Sequence, residues 1–365
     1  MRIASFKSAL LLALITVLLL ALAVSFLPAN QASALPNGLV PHDPIYIVGN
    51  DDFTPANGIT SGSGMLGNPY IIENLDIIAE NAHGIRIENT TAYFIIRNCY
   101  MHDGKDNGRG GIWFENVING EIDNVTSNNN FHGIFVGISS NNIILNCIVR
   151  NNDYGIILGA SVNNTVENCI VSNNRRGITA SGSNNIILKC AIENNELGIF
   201  FATLLFEDDD HLHKSTSNTV RNCAILNNTY GIRFSDDSKN NHIYHNNFKN
   251  NGESICFYFP AKNNYIHHNN FINNPSQAFD NSSNYWDNDY PSGGNYWSDY
   301  PGVDADGNGI GDTPYSISGG NNQDRYPLMK PFDEVPSDER NWPLIAGIVG
   351  VIAIIGVVAF YARKR

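Results

Sequence analysis

The chain has 365 residues and is acidic, because 35 Asp and Glu residues outnumber 22 Lys and Arg residues and give a formal net charge of −13. Such a surface repels a phosphate backbone, so nucleic acid is disfavoured as a partner. Cations, neutral glycans and basic partners are compatible with this charge.

The N-terminus has the pattern of a secretory signal peptide. Arg2 and Lys7 precede an apolar run over residues 9–27, and the small residues Ala32-Ser33-Ala34 follow. This pattern predicts a signal over residues 1–34 with cleavage before Leu35. The apolar run is also long enough to act as an uncleaved anchor. Export of the chain is expected in either case.

A short phrase recurs along the middle of the chain and predicts a repeat fold. It combines Asn-Asn, β-branched residues, a Cys or Asn and a Gly-Ile step, at intervals of 27, 22, 22, 22, 21 and 33 residues. A fixed period in this range indicates stacked units that bury one face against their neighbours. The Gly-Ile steps begin at Gly84, Gly111, Gly133, Gly155, Gly177, Gly198 and Gly231.

A parallel β-helix fits these repeats better than two alternatives. Leucine-rich repeats need a leucine pattern that no coil has, and helical repeats need helix formers, whereas these coils are rich in Asn, Gly, Ile and Val. The sequence therefore predicts an all-β, single-stranded parallel β-helix with coils of about 22 residues over 79–283, after an N-terminal cap and first coil over 35–78. Within one coil, Asn151-Asn152 is expected to form a turn and Gly155 to bend the chain with a positive φ.

Five cysteines recur at one position of the coil and predict an internal ladder. Val125 takes that position in one coil, and Asn246 and Asn269 take it in the last two. Disulfides between neighbouring rungs are an alternative in an exported protein, but we expect free thiols that pack as small hydrophobic groups. Cys256 lies outside the ladder. Its members are Cys99, Cys147, Cys169, Cys190 and Cys223.

The C-terminal part changes character after the repeats. Residues 284–332 are rich in aromatic and Asp residues and predict a C-terminal cap, and residues 333–341 form a polar linker. Residues 342–361 are apolar and the basic residues 362–365 follow, which predicts a single membrane-spanning helix with a cytoplasmic tail. The bulk of the chain is then extracellular and held at the cell membrane by its C-terminal helix.

The cap contains a loop with the ligand pattern of a calcium site. Asp304, Asp306, Asn308 and Asp312 offer oxygen atoms at alternate positions, and the Ile310 carbonyl adds another. A plain Asp/Asn/Gly turn is the alternative. Because the EF-hand Glu is missing, the loop resembles shorter Asp-rich repeats, and Ca²⁺ is expected to fix the cap.

Three motifs of the cap carry a family resemblance: GNYWSDY (294–300), D-x-D-x-N-G-x-G-D-T-P-Y (304–315) and DRYPLM (324–329). With the repeats, they make the chain resemble NosD-like secreted proteins of archaeal type, which are also described as carbohydrate-binding and sugar-hydrolysis repeat domains. The resemblance implies a right-handed parallel β-helix on a membrane-anchored surface protein.

The resemblance also raises copper binding, since NosD proper is linked to copper-site maturation of nitrous-oxide reductase. Imidazole suits copper, and four histidines are candidate ligands. Two lie beside Asp208–Asp210 in the insertion of the longest repeat, and two lie one coil apart. The alternative is a solvated acidic loop with surface histidines. The candidates are His211, His213, His245 and His268.

An enzyme is a further alternative, because many β-helices cleave polysaccharides. Asp236 and Asp237 with Arg233 nearby are the candidate catalytic residues of a glycoside hydrolase or polysaccharide lyase, and Arg175-Arg176 is a further basic pair. An Asp-Asp pair in a turn is usually only a turn, and fold alone does not carry function.

The sequence favours a binding or scaffold module for extracellular polysaccharide or surface glycan. Flat parallel sheets suit extended polymers, and exposed aromatic rings suit sugar faces. Trp113, Trp286 and Trp297 are the predicted ligand-binding residues, although aromatic residues at a cap are often packed. A protein-binding adhesin is a further alternative.

Overall fold

The structure, a computed structural model, describes residues 38–206 and 209–332, without the side chains of residues 204–211. From Leu39 onward these residues form one compact unit. The chain winds through three parallel sheets of ten or eleven strands, and each turn contributes one strand to each sheet. The predicted all-β parallel β-helix is confirmed.

The first sheet has eleven strands, numbered here in chain order. They are β1 (Val40–Pro41), β5 (Leu75–Ile78), β8 (Tyr100–His102), β11 (Thr126–Asn128), β14 (Ile148–Arg150), β17 (Ile170–Ser172), β20 (Ala191–Glu193), β25 (Ala224–Leu226), β28 (Asn247–Lys249), β31 (Asn270–Ile272) and β34 (Tyr296–Trp297).

The second sheet also has eleven strands, of which the first pair is antiparallel. They are β3 (Ile59–Ser61), β4 (Tyr70–Glu73), β7 (Phe94–Arg97), β10 (Gly120–Asp123), β13 (Ile143–Leu145), β16 (Thr165–Glu167), β19 (Ile186–Leu188), β24 (Thr219–Arg221), β27 (His242–Tyr244), β30 (Lys262–His267) and β33 (Ser283–Tyr285).

The third sheet has ten strands and carries the candidate site described below. They are β2 (Ile45–Val48), β6 (Ile85–Thr90), β9 (Gly110–Val117), β12 (His132–Gly137), β15 (Tyr154–Val162), β18 (Arg176–Ser183), β21 (Leu197–Phe201), β26 (Tyr230–Phe234), β29 (Glu253–Phe257) and β32 (Ser276–Asp280). A 3₁₀ turn at Pro55–Asn57 and two antiparallel pairs, β22 (Leu204–Phe206) with β23 (Asp209–His213) and β35 (Tyr315–Ser316) with β36 (Gln323–Asp324), complete the described elements.

The interior is built from aligned rows of branched apolar residues. On the third sheet an isoleucine of each coil from β2 to β29 stacks on that of the next, as Ile134 does between Ile112 and Ile156, and these side chains are buried. β-branched residues suit this position because they pack well on a pleated surface. The core therefore runs continuously along the axis of the solenoid.

The repeating glycines are required for close packing between coils, and the predicted positive φ at Gly155 is wrong. The left-handed residue of that turn is Asn151, with a φ of 58°. A Cβ atom on Gly155 would lie 2.4 Å from the Gly177 carbonyl oxygen, and the same collision recurs from coil to coil. Glycine is needed there because the neighbouring backbone leaves no room for a side chain.

The cysteine ladder is present, and two asparagine ladders accompany it. All six cysteines are free and buried, and the ladder continues from Cys223 through Asn246 and Asn269. The second Asn of each turn pair joins a further ladder: Asn152 accepts a hydrogen bond from the Asn130 N–H and donates to the Asn174 side chain. These bonds satisfy backbone groups that the turns would leave buried without partners.

Several predicted segments lie outside the described residues. These are the signal over 1–34, the linker over 333–341, the membrane span over 342–361 and the tail over 362–365. Within the described part of the chain, we find no helix with the length and apolar character needed to cross a membrane.

Candidate functional site

The outer face of the third sheet gathers aromatic and basic side chains into one row. Parallel pairing in register places one outward-pointing residue of each strand beside its counterpart on the next strand. We call this set the outer row. Its members are Tyr46, Arg86, Trp113, Phe135, Ile157, Thr179, Phe200, Arg233, Cys256 and Phe279.

Trp113 is the centre of an aromatic stack on this face. Its ring lies parallel to that of Phe135 with 3.8 Å between centroids, and the rings of His83 and His132 lie at 4.7 and 5.5 Å. The indole Nε1–H donates to the Glu115 carboxylate at 3.1 Å. Because Trp113 is only partly buried, part of its ring is open to solvent, in an orientation that its neighbours fix.

A cleft of about 290 Å³ adjoins the stack. Tyr46 from β2, Arg86 from β6, and His83 and Arg109 from the turns before β6 and β9 line it. Arg86 is paired with Glu88, which also accepts a hydrogen bond from the Tyr46 hydroxyl. Arg109 is exposed and makes no ion pair with any described residue. The cleft thus combines one paired and one unpaired guanidinium group.

Both histidines beside the cleft are uncharged at neutral pH. Burial, followed by Arg86 and Arg109, lowers the pKa of His83 to about 4. Burial, followed by His83, lowers the pKa of His132 to about 4. The His83 Nδ1 accepts the Gly110 N–H at 3.0 Å, so the neutral ring carries its proton on Nε2. His83 therefore offers the cleft a neutral hydrogen-bond donor.

Two more arginines lie further along the same face, held by aromatic rings. Arg176 lies over Tyr154 and Phe200, at 5.2 and 5.1 Å from the ring centroids. Arg233 lies over Tyr230 and Tyr258, at 5.6 and 5.7 Å. Cation–π contacts of this kind orient a guanidinium group without neutralising it.

Two of the three tryptophans predicted to bind ligand are buried, which corrects the sequence interpretation. Trp286 and Trp297 are each 1% exposed. Their Nε1–H groups donate to the buried carboxylates of Asp280 and Asp324. Both rings close the end of the core, so only Trp113 is placed where it can meet a ligand.

The predicted catalytic residues do not converge on a common point. Asp236 and Asp237 are exposed in a turn, and Asp237 is bound by Lys214 at 2.6 Å. This hydrogen bond, followed by the Lys214 charge, lowers the pKa of Asp237, so the group is poorly suited to hold a proton for transfer. Arg233 points from the outer row and is held by tyrosines. The arrangement is that of a turn beside a strand.

The predicted calcium loop is folded, with its three aspartates close together. Carboxylate oxygens of Asp304, Asp306 and Asp312 lie within 4.8 Å of one another. The side-chain oxygen of Asn308 accepts the Ile310 N–H at 2.8 Å, so Asn308 is already engaged. Exposed acidic groups take this form without an ion too, and calcium binding stays a prediction.

The histidines predicted to bind copper do not form a ligand set. The structure does not describe the His211 side chain, and His213 is on β23 in the insertion. His268 is engaged at both nitrogens, by the Ser292 carbonyl at 2.9 Å and by His267 at 2.7 Å. The His245 ring stacks on Phe332 at 4.3 Å. These contacts pack the imidazoles into the cap.

Comparison with known families identifies the family of the chain. A family model described as "Periplasmic copper-binding protein (NosD)" matches residues 57–257 and 211–302. The chain belongs to the NosD family. The predicted resemblance to NosD-like proteins is therefore confirmed. No curated protein sequence matches the chain significantly.

Solved structures similar to this NosD-family chain are β-helix proteins of low sequence identity. The A-module of mannuronan C-5 epimerase AlgE4 from Azotobacter vinelandii is 14% identical, with a TM-score of 0.42, over 71% of this chain and 85% of that one. An alginate lyase from Paenibacillus sp. str. FPU-7 is 13% identical, with a TM-score of 0.44, over 70% of this chain and 98% of that one.

The described residues do not fit the copper site that the family description implies. Among them, the three aspartates of the loop are the one group of three His, Cys, Asp or Glu side chains whose ligand atoms converge, and they offer only oxygen. Burial raises the pKa of Cys99 to about 11 and also raises that of Cys256. These sulfurs stay protonated, whereas copper is bound by thiolates.

Sequence reasoning missed most of the residues that meet at the cleft. His83, Arg109 and His132 stand in turns or at strand starts, outside any motif. One signal was available: each lies one or two residues before the glycine of its coil, so the repeat alignment alone would have placed them on one face. Arg176 was noted only as part of a basic pair.

Proposed function

We propose that this NosD-family β-helix is a binding module for extracellular polysaccharide, which it holds along the outer face of the third sheet. The observation that carries the proposal is the part-exposed Trp113, stacked on Phe135 beside a cleft with two arginines. An aromatic plane packs on the apolar face of a sugar ring, and neighbouring donors bind its oxygen atoms.

The regular geometry of the sheet supports a polymeric ligand. Outward-pointing residues repeat at the strand spacing of about 4.8 Å along a straight row. An extended sugar chain laid along this row meets one new residue of the row at each coil.

Display outside the cell on a membrane span at 342–361 is part of the proposal and is supported by the sequence pattern. Calcium held by the Asp304 loop, with a structural role in the cap, is a secondary part.

The test is electrophoresis of the full chain through native gels cast with a panel of neutral and charged polysaccharides. The chain is kept in a detergent without a sugar headgroup, so that the detergent does not compete. We expect wild-type protein to be retarded by at least one polymer, and Trp113→Ala to lose most of this retardation with nearly unchanged melting. Tyr285→Ala is the matched control, because Tyr285 is an exposed, stacked aromatic residue on the second sheet.

Two results would contradict the proposal: no retardation of wild-type protein by any polymer, or equal retardation of wild type and Trp113→Ala. Incubating each retarding polymer with the protein, and measuring newly released chain ends, tests the hydrolase or lyase alternative. Release of ends would assign the face to an enzyme.

A further inference from the structure

Three arginines on the outer face of the third sheet have no acidic partner. Arg109, Arg176 and Arg233 make no ion pair with any residue that the structure describes. The Nε atoms of Arg176 and Arg233 are buried and have no hydrogen-bond partner among those residues. A buried donor without an acceptor is costly, and the described residues supply no acceptor to either group.

The acidic residues within the strands of this sheet are, by contrast, all engaged. Glu88 accepts hydrogen bonds from Tyr46 and Arg86. Three other carboxylates accept from an aromatic hydroxyl or indole group. These pairs are Glu115 with Trp113, Glu253 with Tyr258, and Asp280 with Trp286.

Arg176 and Arg233 differ from these carboxylates in that their Nε–H groups have no hydrogen-bond partner among the described residues. On β18, three residues after Arg176, the Thr179 hydroxyl is another buried donor, 3% exposed and without a partner among the described residues. Unpaired guanidinium groups and free hydroxyls, fixed by packing, are the means by which proteins bind carboxylate and sulfate groups.

The arginines are spaced for a polymer. Arg109 directly precedes β9, Arg176 begins β18 and Arg233 is in β26, which are three and then two strands apart in the third sheet. With about 4.8 Å per strand, the outer two lie roughly 24 Å apart along the axis. A small anion can meet only one of them, whereas a chain with an anionic group on each sugar can meet all three.

We propose that the ligand of this face is an anionic polysaccharide, whose carboxylate or sulfate groups are bound by Arg109, Arg176 and Arg233. This inference rests on the proposed function and adds the chemical class of the ligand. Nucleic acid is the competing polyanion. Single-stranded DNA in the test below distinguishes it from a polysaccharide.

The test compares polygalacturonate with its methyl ester, which has the same backbone without the charge. The full chain is used in an uncharged detergent, and each measurement is made with EDTA, which prevents calcium from bridging carboxylates of the protein to those of the polymer, and again with calcium, which keeps the proposed site in the cap filled. A sulfated galactan distinguishes sulfate from carboxylate, single-stranded DNA tests the competing polyanion, and fragments of two and six sugars test the span.

We expect polygalacturonate, the sulfated galactan or both to bind, with hexamer above dimer, and the methyl ester to bind much more weakly. Arg176→Gln and Arg233→Gln should each weaken binding about tenfold, and binding should fall as salt rises. Arg176→Lys keeps the charge and should retain part of the affinity. Lys189→Gln, which removes a paired charge beside the second sheet, should leave binding unchanged.

The outcomes separate the inference from the function on which it rests. Equal binding of the methyl ester, or unchanged binding in folded Arg176→Gln and Arg233→Gln, would overturn the anionic ligand while leaving a glycan-binding module. Tighter binding of DNA than of any polysaccharide would also overturn it. A failure of every polymer to bind would contradict the proposed function itself.

Discussion

At the scale of single residues, His132 shows how the binding face affects stability. Its ring is surrounded by Trp113, Phe131, Phe135 and Tyr154, and its Nδ1 has no hydrogen-bond partner among the described residues. Burial is the main reason why its pKa falls to about 4. The folded chain therefore holds this imidazole neutral under conditions in which an unfolded chain would protonate it.

This difference predicts a loss of stability in acid. The stability that His132 contributes is fully present above its unfolded pKa of about 6.5. It is lost as the pH falls toward 4, and the total loss is on the order of 3 kcal/mol. Asp324 acts in the opposite direction over the same range, because burial raises its pKa to about 7. His132→Gln should therefore lose less free energy of unfolding than wild type between pH 7 and 4.5 in urea denaturation. Equal losses in the two proteins would contradict this account.

At the scale of the coil, the two asparagines of a turn have different tasks. Asn173 is exposed and left-handed, with a φ of 56°. Asn174 is buried, accepts hydrogen bonds from the backbone and side-chain amides of Asn152, and donates to the Val149 carbonyl and to Asn195. The first residue permits the turn, and the second joins three coils.

We expect Asn174→Ala to cost about 2–4 kcal/mol of unfolding free energy, because it leaves buried donors and acceptors without partners. Asn173→Gly is the matched control one residue away. It should change stability by about 0.5 kcal/mol or less, since glycine adopts the same left-handed conformation. Denaturant titration of both variants measures the difference, and equal costs would show that the ladder is no stronger than the turn.

The coil also shows what the sequence could predict. The period, the Gly-Ile step and the recurring cysteines indicate stacked parallel strands because each feature needs only local spacing. The reason for Gly155 was misjudged because the collision that excludes a side chain comes from Gly177, in the next coil. The second Asn of each pair was read as a turn residue because its partners are likewise 21 to 33 residues away.

At the scale of the whole molecule, the candidate site follows from register. Arg109, Arg176 and Arg233 have no common motif, and only the pairing of strands brings them to one face. The tryptophans show that the sequence does not reveal which aromatic residues are buried. Trp297 and Trp113 are equally prominent in the sequence, yet one closes the core and the other faces outward, since burial depends on where the last coil ends.

The cap closes the end of the solenoid through Trp297. Trp297 stacks on Phe271 at 4.3 Å and on Tyr315 at 4.2 Å, so it joins the last coil to the segment that covers it. Trp297→Ala should cost about 3–5 kcal/mol and uncover the strands at the end of the rod, which favours association between copies. Trp113→Ala, a tryptophan on the side of the rod, should cost about 1 kcal/mol.

Thermal melting and size-exclusion chromatography of the two variants test this contrast, and glycan retention completes it. Trp297→Ala should melt early and elute as larger species, and its residual folded fraction should still bind polysaccharide. Trp113→Ala should remain as well folded as wild type and lose binding. If Trp297→Ala lost binding with unchanged melting, the cap would carry the ligand and the third sheet would not. The two tryptophans thus separate the part of the rod that keeps it closed from the part that meets its ligand.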